Sequence, residues 1–460
     1  MNSLKYDAVI IGSGIGGYPA ASYLASRGLK VAVIEEHLVG GECTNYGCVP
    51  SKALYHIAES VKAIEKIGGR AEYNWTNMLE WAKGIVSEAK RGIEYLLKSK
   101  GVDIYYGKGV VKNPREVKVV LEGEVIELKA NKVLLAVGTD PADLPNMRFD
   151  KQGIISNREA LYLSEKPERI IIIGGGVVGV ELANIYSALG IDATIIEVME
   201  HILPFTDKDI ALAVKMHLSN RGVKVLEKTT AIRAEKLSNG KYCVELSTGE
   251  RLEVDKVVVA VGRKPKTNDI GLEAIGVGVD EKGFIKVDER LETNIAGIHA
   301  AGDVVGGPLL AHKALLESIS AAMYIAGEEG FKVNYRLIPL TIFSGLEVSS
   351  VGLTERELQR MNIKYVRVKV PLSFLSAVKI KGHRNAFAKV LLNEAFNEVY
   401  GIHIVAPSAS EVISAYMPLY LGKVAFKEAS HTPYPHLTVS ESLRDLAEYI
   451  VGEPVHFLKK

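Results

Sequence analysis

Two glycine-rich segments in equivalent settings constrain this chain more than any other feature. An apolar run, Tyr6 to Ile11, leads into Gly12-Ser-Gly14-Ile-Gly-Gly17 and a helix-forming stretch through Ala25, and a second strand follows, ending at Glu35. The pattern returns from Arg169 through Gly174-Gly-Gly176-Val-Val-Gly179 to Glu197, and in both copies the acid lies 23 residues after the first glycine. A single unit of this kind is a modest signal; a duplication with matched spacing is a strong one. In such a unit the first glycine allows a tight turn, the second lets a pyrophosphate approach the backbone, and the third lets helix pack on strand. The pyrophosphate then meets the positive end of the helix. Glu35 and Glu197 stand where a carboxylate accepts hydrogen bonds from ribose hydroxyls, and an acid there disfavours a 2′-phosphate. The chain is therefore expected to be α/β, with two Rossmann-like dinucleotide-binding domains. Glycines that merely turn a strand into a helix are the alternative at each copy taken alone.

Directly after the first unit comes GGECTNYGCVPSK, residues 40–52, which holds two of the chain's three cysteines, Cys43 and Cys48. A thiol pair placed just downstream of a dinucleotide fold points to redox chemistry. Five residues of ideal helix advance about 7.5 Å, whereas bridged cysteines rarely have Cα atoms more than about 7 Å apart. If these two bridge, the segment is expected to be a distorted helix start, with Gly47 as the permissive residue, and the bridge to be strained and easily reduced. A short loop gains little from closure, so a working disulfide is a better reading than a staple. Cys243 lies alone in a strand-like run, and three cysteines make no disulfide framework.

At 460 residues the chain is too long for one core. Its 47% hydrophobic and 24% charged residues describe a globular protein, and a net charge of +1 without basic blocks leaves no footprint for nucleic acid or an anionic membrane. The longest apolar stretch, Ile170 to Val180, is broken by four glycines and too short to span a bilayer. The N-terminus enters a strand at once without signal-peptide architecture, so a cytoplasmic location is expected. No metal-ligand pattern stands out.

Between the glycine units, Leu54, Ile57, Val61 and Ile64 recur at helical spacing and read as a core stripe. KVVVAVG (256–262) echoes KVLLAVG (132–138), a further sign of duplication. From about Tyr335 the glycine fingerprints cease, and a separate domain is expected. The boundaries expected are 1–145 for the first dinucleotide-binding domain, 146–268 for the second, 269–335 for a central segment, and 336–460 for a separate α+β domain.

These segments resemble the flavoprotein disulfide reductases, the class I pyridine nucleotide-disulfide oxidoreductases, and the resemblance covers essentially the whole chain. The family's redox motif is matched at two glycines, Cys43, Asn45, Gly47, Cys48, Pro50, Ser51 and Lys52. Its second flavin segment is matched by Thr293-Asn294 through Ile298-His-Ala-Ala-Gly302-Asp303, and its interface signature by His436-Leu437-Thr438-Val439-Ser440-Glu441. Tyr18, GVVGVELA (176–183), AHKA (311–314) and VGLTE (351–355) are similar to the dihydrolipoyl dehydrogenase branch.

The resemblance implies FAD held through Gly12, Gly14, Gly17, Glu35, Lys52 and Asp303, and NAD held through Gly174, Gly176, Gly179 and Glu197. It implies a dithiol oxidised at a Cys43–Cys48 disulfide, with Cys43 facing substrate and Cys48 facing flavin. His436 would be the base, oriented by Glu441, and Lys52 would pair with Glu181 beside the flavin; a buried structural pair is the alternative for the last two. A homodimer with active sites shared across the interface follows, with lipoylated proteins of 2-oxo acid dehydrogenase or glycine cleavage systems as partners. Competing readings are an NAD(P)H-dependent reductase of another disulfide or of metal ions, and an NADH oxidase or diaphorase. The sequence departs from the family pattern at Glu42, Thr44, Tyr46, Tyr434 and Leu437. An ionised carboxylate at Glu42 is expected to disfavour the neighbouring thiolate.

Overall fold

The computed structural model describes residues 4–456, so the start of the N-terminal segment lies outside the described residues. Three of the five sheets among the described residues organise the chain. The first has seven strands: Asp103–Tyr106, Val31–Glu35, Leu4–Ile11, Val125–Leu135, Glu116–Val120 and Lys108–Asn113 in spatial order, with Ile298–Ala300 pairing alongside Val125–Leu135. The strand Leu4–Ile11 lies parallel to both neighbours, and all five residues of Val31–Glu35 are buried. Burial on both faces is what a run such as VAVIE requires, and helices supply it. Strand Ile298–Ala300 brings the later part of the chain back to this sheet, and helix Ala311–Ile325 packs on helix Tyr18–Ser26. The Ala20 N–H donates to Ser318 Oγ at 3.0 Å across that contact.

The second sheet repeats the plan with five parallel strands, ordered Lys224–Leu226, Asp192–Ile196, Arg169–Ile173, Lys256–Val259 and Ile154–Ile155. The chain passes between the first and second sheets along a two-stranded ribbon, Thr139–Pro141 against Arg263–Pro265. These two strands directly follow the echoing AVG segments, so the duplicated sequence also builds the hinge. The third sheet is antiparallel, ordered Leu340–Ile342, Val348–Gly352, Val399–Val405, Phe387–Leu392 and Val366–Pro371, with helices Ala409–Tyr420 and Ser442–Val451 near it.

One apolar core joins the parts. Leu54, Ala58 and Val61 of helix Cys48–Lys66 share it with Val180 and Ile185 of helix Val177–Ala188 and with Val390 and Ile404 of the third sheet. Within the expected stripe Leu54 and Val61 are buried and Ile57 half-buried, while Ile64, near the helix end, is exposed. A polar clamp adds to the core: Lys389, fully buried, donates to Asp207 at 2.8 Å, Asp209 at 2.8 Å and Glu355 at 2.9 Å. Burial works against that ammonium, and the carboxylates around it outweigh burial and hold its pKa above the ordinary lysine value.

Candidate active site

The cysteine segment folds as two helices meeting at Gly47. Helix Gly41–Tyr46 ends there, Gly47 takes φ −132° and ψ −108°, and helix Cys48–Lys66 begins. This break brings the Cα atoms of Cys43 and Cys48 to 4.7 Å, and the two form a disulfide. The expected distortion is therefore a full interruption. A Cβ at Gly47 would lie 3.2 Å from the Glu42 carbonyl and 3.3 Å from the Cys43 Cα, which shows how tightly the turn closes. Asn45 secures it, donating to the carbonyls of Val39 at 3.0 Å and Gly41 at 2.9 Å.

Lys52 lies one helical turn beyond Cys48, on the same face. Its ammonium donates to Glu181 Oε2 at 2.7 Å and stands 4.4 Å from the centre of the Phe343 ring. The other Glu181 oxygen accepts the Phe343 N–H at 3.1 Å. One carboxylate thus links the redox helix, the second sheet's first helix and the C-terminal part. Phe343 carries no fingerprint and was not legible in the sequence.

The two glycine motifs are duplicated down to their contacts. Gly12 and Gly174 adopt φ of +100° and +105°, and a Cβ on either would strike the carbonyl of Ala136 or Ala260. A Cβ on Gly17 or Gly179 would strike the Gly12 or Gly174 carbonyl, which closes the helix onto its strand. The middle glycines differ. A Cβ on Gly176 would meet nothing within 4 Å and one on Gly14 only the Gly41 Cα at 3.7 Å, so a side chain there would fill the space ahead of each helix. Glu35 accepts from the N–H groups of Ser13 at 2.9 Å and His37 at 2.8 Å; Glu197 accepts from Gly175 and Met199, both at 2.7 Å. Each carboxylate is fixed by backbone yet keeps lone pairs for ribose hydroxyls. The cradles, the fixed acids and the open space at the middle glycines fit two dinucleotides.

Asp303 opens a short turn, where Thr139 Oγ1 donates to its Oδ2 at 3.1 Å. The preceding Gly302 is held on both sides by a fully buried ion pair: its N–H donates to Glu317 at 2.8 Å and its carbonyl accepts from Lys313 at 2.9 Å. Lys313 belongs to the AHKA match, but its role in gripping Gly302 shows only in three dimensions.

At the C-terminal end His436 Nδ1 is paired with Glu441 Oε1 at 2.9 Å, and Glu441 Oε2 accepts the Thr438 N–H at 3.1 Å. Glu441 is buried, whereas the His436 side chain is 76% exposed. The His436–Leu437 peptide is cis. Among the described residues no hydrogen bond or ion pair joins this dyad to the cysteine pair of the same chain.

Glu42 does not confront the cysteines as an uncompensated charge. Arg158 donates to its Oε2 from Nη2 at 2.6 Å and from Nε at 2.9 Å, and Arg263 approaches its Oε1 at 3.1 Å. Burial is the largest single influence and raises the carboxyl's pKa, but Arg263 and Arg158 together hold it below the usual carboxylate range. Glu42 is therefore ionised and neutralised at once. Arg158 was missed in the sequence; Arg263 could have been found one residue past the echo at which the duplication was last traced.

Residues 6–318 match the model of the pyridine nucleotide-disulphide oxidoreductases, and residues 338–447 match that family's dimerisation domain. The dihydrolipoyl dehydrogenase of Thermus scotoductus is 37% identical over 99% of both chains. That of Trypanosoma brucei brucei is 34% identical over 98% of both. Among solved structures, LpdA from Mycobacterium tuberculosis superposes with a TM-score of 0.89 at 26% identity, over 97% of this chain and 99% of its own. The Cu(II) complex of the HOCl-induced flavoprotein disulfide reductase RclA from Escherichia coli gives 0.88 at 26% identity, with the same coverage. No helix among the described residues is long and apolar enough to cross a membrane. By its sequence over nearly its full length, its fold and its redox disulfide, the chain belongs to the pyridine nucleotide-disulphide oxidoreductases.

Proposed function

We propose that the protein is an FAD-containing, NAD-linked dihydrolipoyl dehydrogenase. The observation that carries this reading is the Cys43–Cys48 disulfide at the break between two helices, with Lys52 one turn away, in a chain holding two dinucleotide cradles. Full-length relatives named dihydrolipoyl dehydrogenase support the substrate class.

In this reading His436 takes a proton from one thiol of the dithiol substrate, and its pairing with Glu441 stabilises the imidazolium that results. The substrate thiolate attacks Cys43 Sγ. The Cys43–Cys48 bond breaks, Cys48 leaves as a thiolate, and a mixed disulfide joins substrate to Cys43. The second substrate thiol then displaces Cys43, closing the substrate disulfide and leaving both cysteines reduced. Bound FAD would supply the two-electron relay from the reduced cysteines to NAD⁺, so that overall dithiol and NAD⁺ would become disulfide, NADH and one proton. Gly12, Gly14, Gly17, Glu35, Lys52 and Asp303 would hold FAD, and Gly174, Gly176, Gly179 and Glu197 would hold NAD. Lys52, neutralised in part by Glu181, places positive charge where negative charge gathers on reduction. Cys48 is the more exposed cysteine in the isolated chain, so the assignment of the two sulfurs rests on their order in the motif.

The exposed His436 and the dimerisation domain support a homodimer in which each dyad serves the partner's cysteines. Residues 1–145, 146–268, 269–335 and 336–460 are then the FAD, NAD, central and interface segments. Lipoylated proteins of 2-oxo acid dehydrogenase or glycine cleavage systems, or a free lipoate pool, would supply its dithiol. The test is NADH formation from dihydrolipoamide, with glutathione disulfide and coenzyme A disulfide assayed as oxidants of NADH. Turnover of dihydrolipoamide that vanishes in Cys48→Ser supports the reading; preference for another disulfide contradicts it.

A further inference from the structure

We infer that Glu42 is a positioning residue that latches the second sheet's unit onto the redox helix and so aligns nicotinamide and flavin for hydride transfer. The inference rests on the functional reading above. Helix Gly41–Tyr46 is gripped at both ends by residues 157–162. At one end Asn157 Nδ2 meets Glu42 Oε1 at 3.2 Å and Arg158 closes on Oε2; at the other Asn157 donates to the Tyr46 carbonyl at 2.8 Å and Tyr162 Oη to the Asn45 carbonyl at 2.7 Å.

Both arginines have a second attachment, and in each case it is a strand of the hinge ribbon. Arg158 Nη2 reaches Asp140 Oδ1 at 2.7 Å. Arg263 donates from Nε to Thr139 Oγ1 at 2.7 Å and from Nη2 to the Thr139 carbonyl at 2.8 Å. One carboxylate thus ties together the two crossings between the units and the helix that carries Cys43, and Thr139 extends the connection to Asp303. Two guanidinium groups, with the Lys266 ammonium 3.6 Å from Asp140 as a third cation, stand against two carboxylates, Glu42 and Asp140. Without the Glu42 charge, Arg158 and Arg263 would face each other with too little compensation, and the hinge is the element free to relieve their repulsion. A purely steric role would be indifferent to the isosteric change Glu42→Gln.

The experiment uses FAD-loaded wild type, Glu42→Gln and Arg158→Met, mixed rapidly and anaerobically with saturating NADH or, separately, with dihydrolipoamide. The expected result is that NADH bleaches the flavin about tenfold more slowly in each variant, as expected for misplacement of reacting groups, while the rate at which dithiol brings up the long-wavelength thiolate-to-flavin band stays within about twofold. In the same proteins the amides of Ala142 and Lys266, which bond across the ribbon to Gly262 and Gly138, should exchange with solvent faster, and those of helix Val177–Ala188 should not. Arg158→Met probes the latch from the opposite side should Glu42→Gln fail to fold. Unchanged NADH bleaching, equal slowing of both arms, or unchanged exchange at Ala142 and Lys266 would each overturn the inference. Wild type that dithiol cannot reduce would instead sink the functional reading, because the NADH arm needs no cysteine.

Discussion

His436 and Glu441 are joined between Nδ1 and Oε1 at 2.9 Å, which leaves Nε2 as the ring nitrogen free to take a proton. Glu441 is buried and held by the Thr438 N–H, so the ring is aimed from a fixed point although it is itself exposed. Replacing His436 with Gln is expected to slow dihydrolipoamide oxidation by about 10²-fold or more, the usual worth of a positioned acid–base group. Glu441→Gln should cost less, since the ring remains. Reduction of ferricyanide by NADH should be unchanged in both variants, and equal loss in the two assays would contradict the assignment.

Lys52 bears on the flavin potential. With Met at that position the ammonium that faces Glu181 beside the redox helix is gone. The midpoint potential of the bound flavin should fall by about 30 mV or more, equivalent to a tenfold shift in a two-electron equilibrium. Spectroscopic titration against a reference dye measures this directly, and an unchanged potential would reduce the Lys52–Glu181 pair to a structural one.

The Lys313–Glu317 pair, both side chains fully buried, holds the two sides of Gly302. Burial is the main cause that raises the Glu317 pKa, and Lys313 is the main cause opposing it. Lys313→Met leaves a buried carboxylate unpaired and should destabilise the protein by about 3–5 kcal/mol. The double variant Lys313→Met with Glu317→Leu should recover part of that loss in thermal melts. FAD retention should fall in the single variant, because Gly302 precedes Asp303.

Stability should depend on pH through buried histidines. Burial first, then the charge of Arg221 for His383 and of Lys389 for His403, push both imidazoles from 6.5 down to about 4. The unfolded chain therefore binds more protons than the folded one between these values, so stability is full above about 6.5 and falls as pH drops towards about 4. Glu42, Glu59 and Asp209, all held below their ordinary pKa, contribute only below about 4.5. Melting temperature should already decline between pH 6.5 and 5, and His403→Gln should flatten that slope.

The sequence disclosed the parts of this molecule whose causes are local. Gly17 and Gly179 could be read because the carbonyl each must approach, that of Gly12 or Gly174, lies within the same strand-turn-helix unit. Cys43 and Cys48 were legible as a pair, and helix geometry called for distorted backbone near Gly47 if they bridge, though not for the full break between two helices. What stayed hidden depends on partners distant in the chain. The Glu42 carboxylate looked like an obstacle to a thiolate because Arg158 and Arg263 cannot be placed beside it without the fold. Lys389 and its three carboxylates, and the hold of Lys313 and Glu317 on Gly302, are invisible for the same reason.

The central claim is that Cys43 and Cys48 form a working disulfide whose second sulfur lies against the flavin. Its most direct test is the visible spectrum of the FAD-loaded protein during anaerobic addition of one equivalent of dihydrolipoamide. The account predicts a new long-wavelength absorption as the Cys48 thiolate forms beside oxidised flavin, present without reductant in Cys43→Ser and absent from Cys48→Ser. Bleaching of the flavin with no such band in the wild type, or the same band in Cys48→Ser, would contradict it.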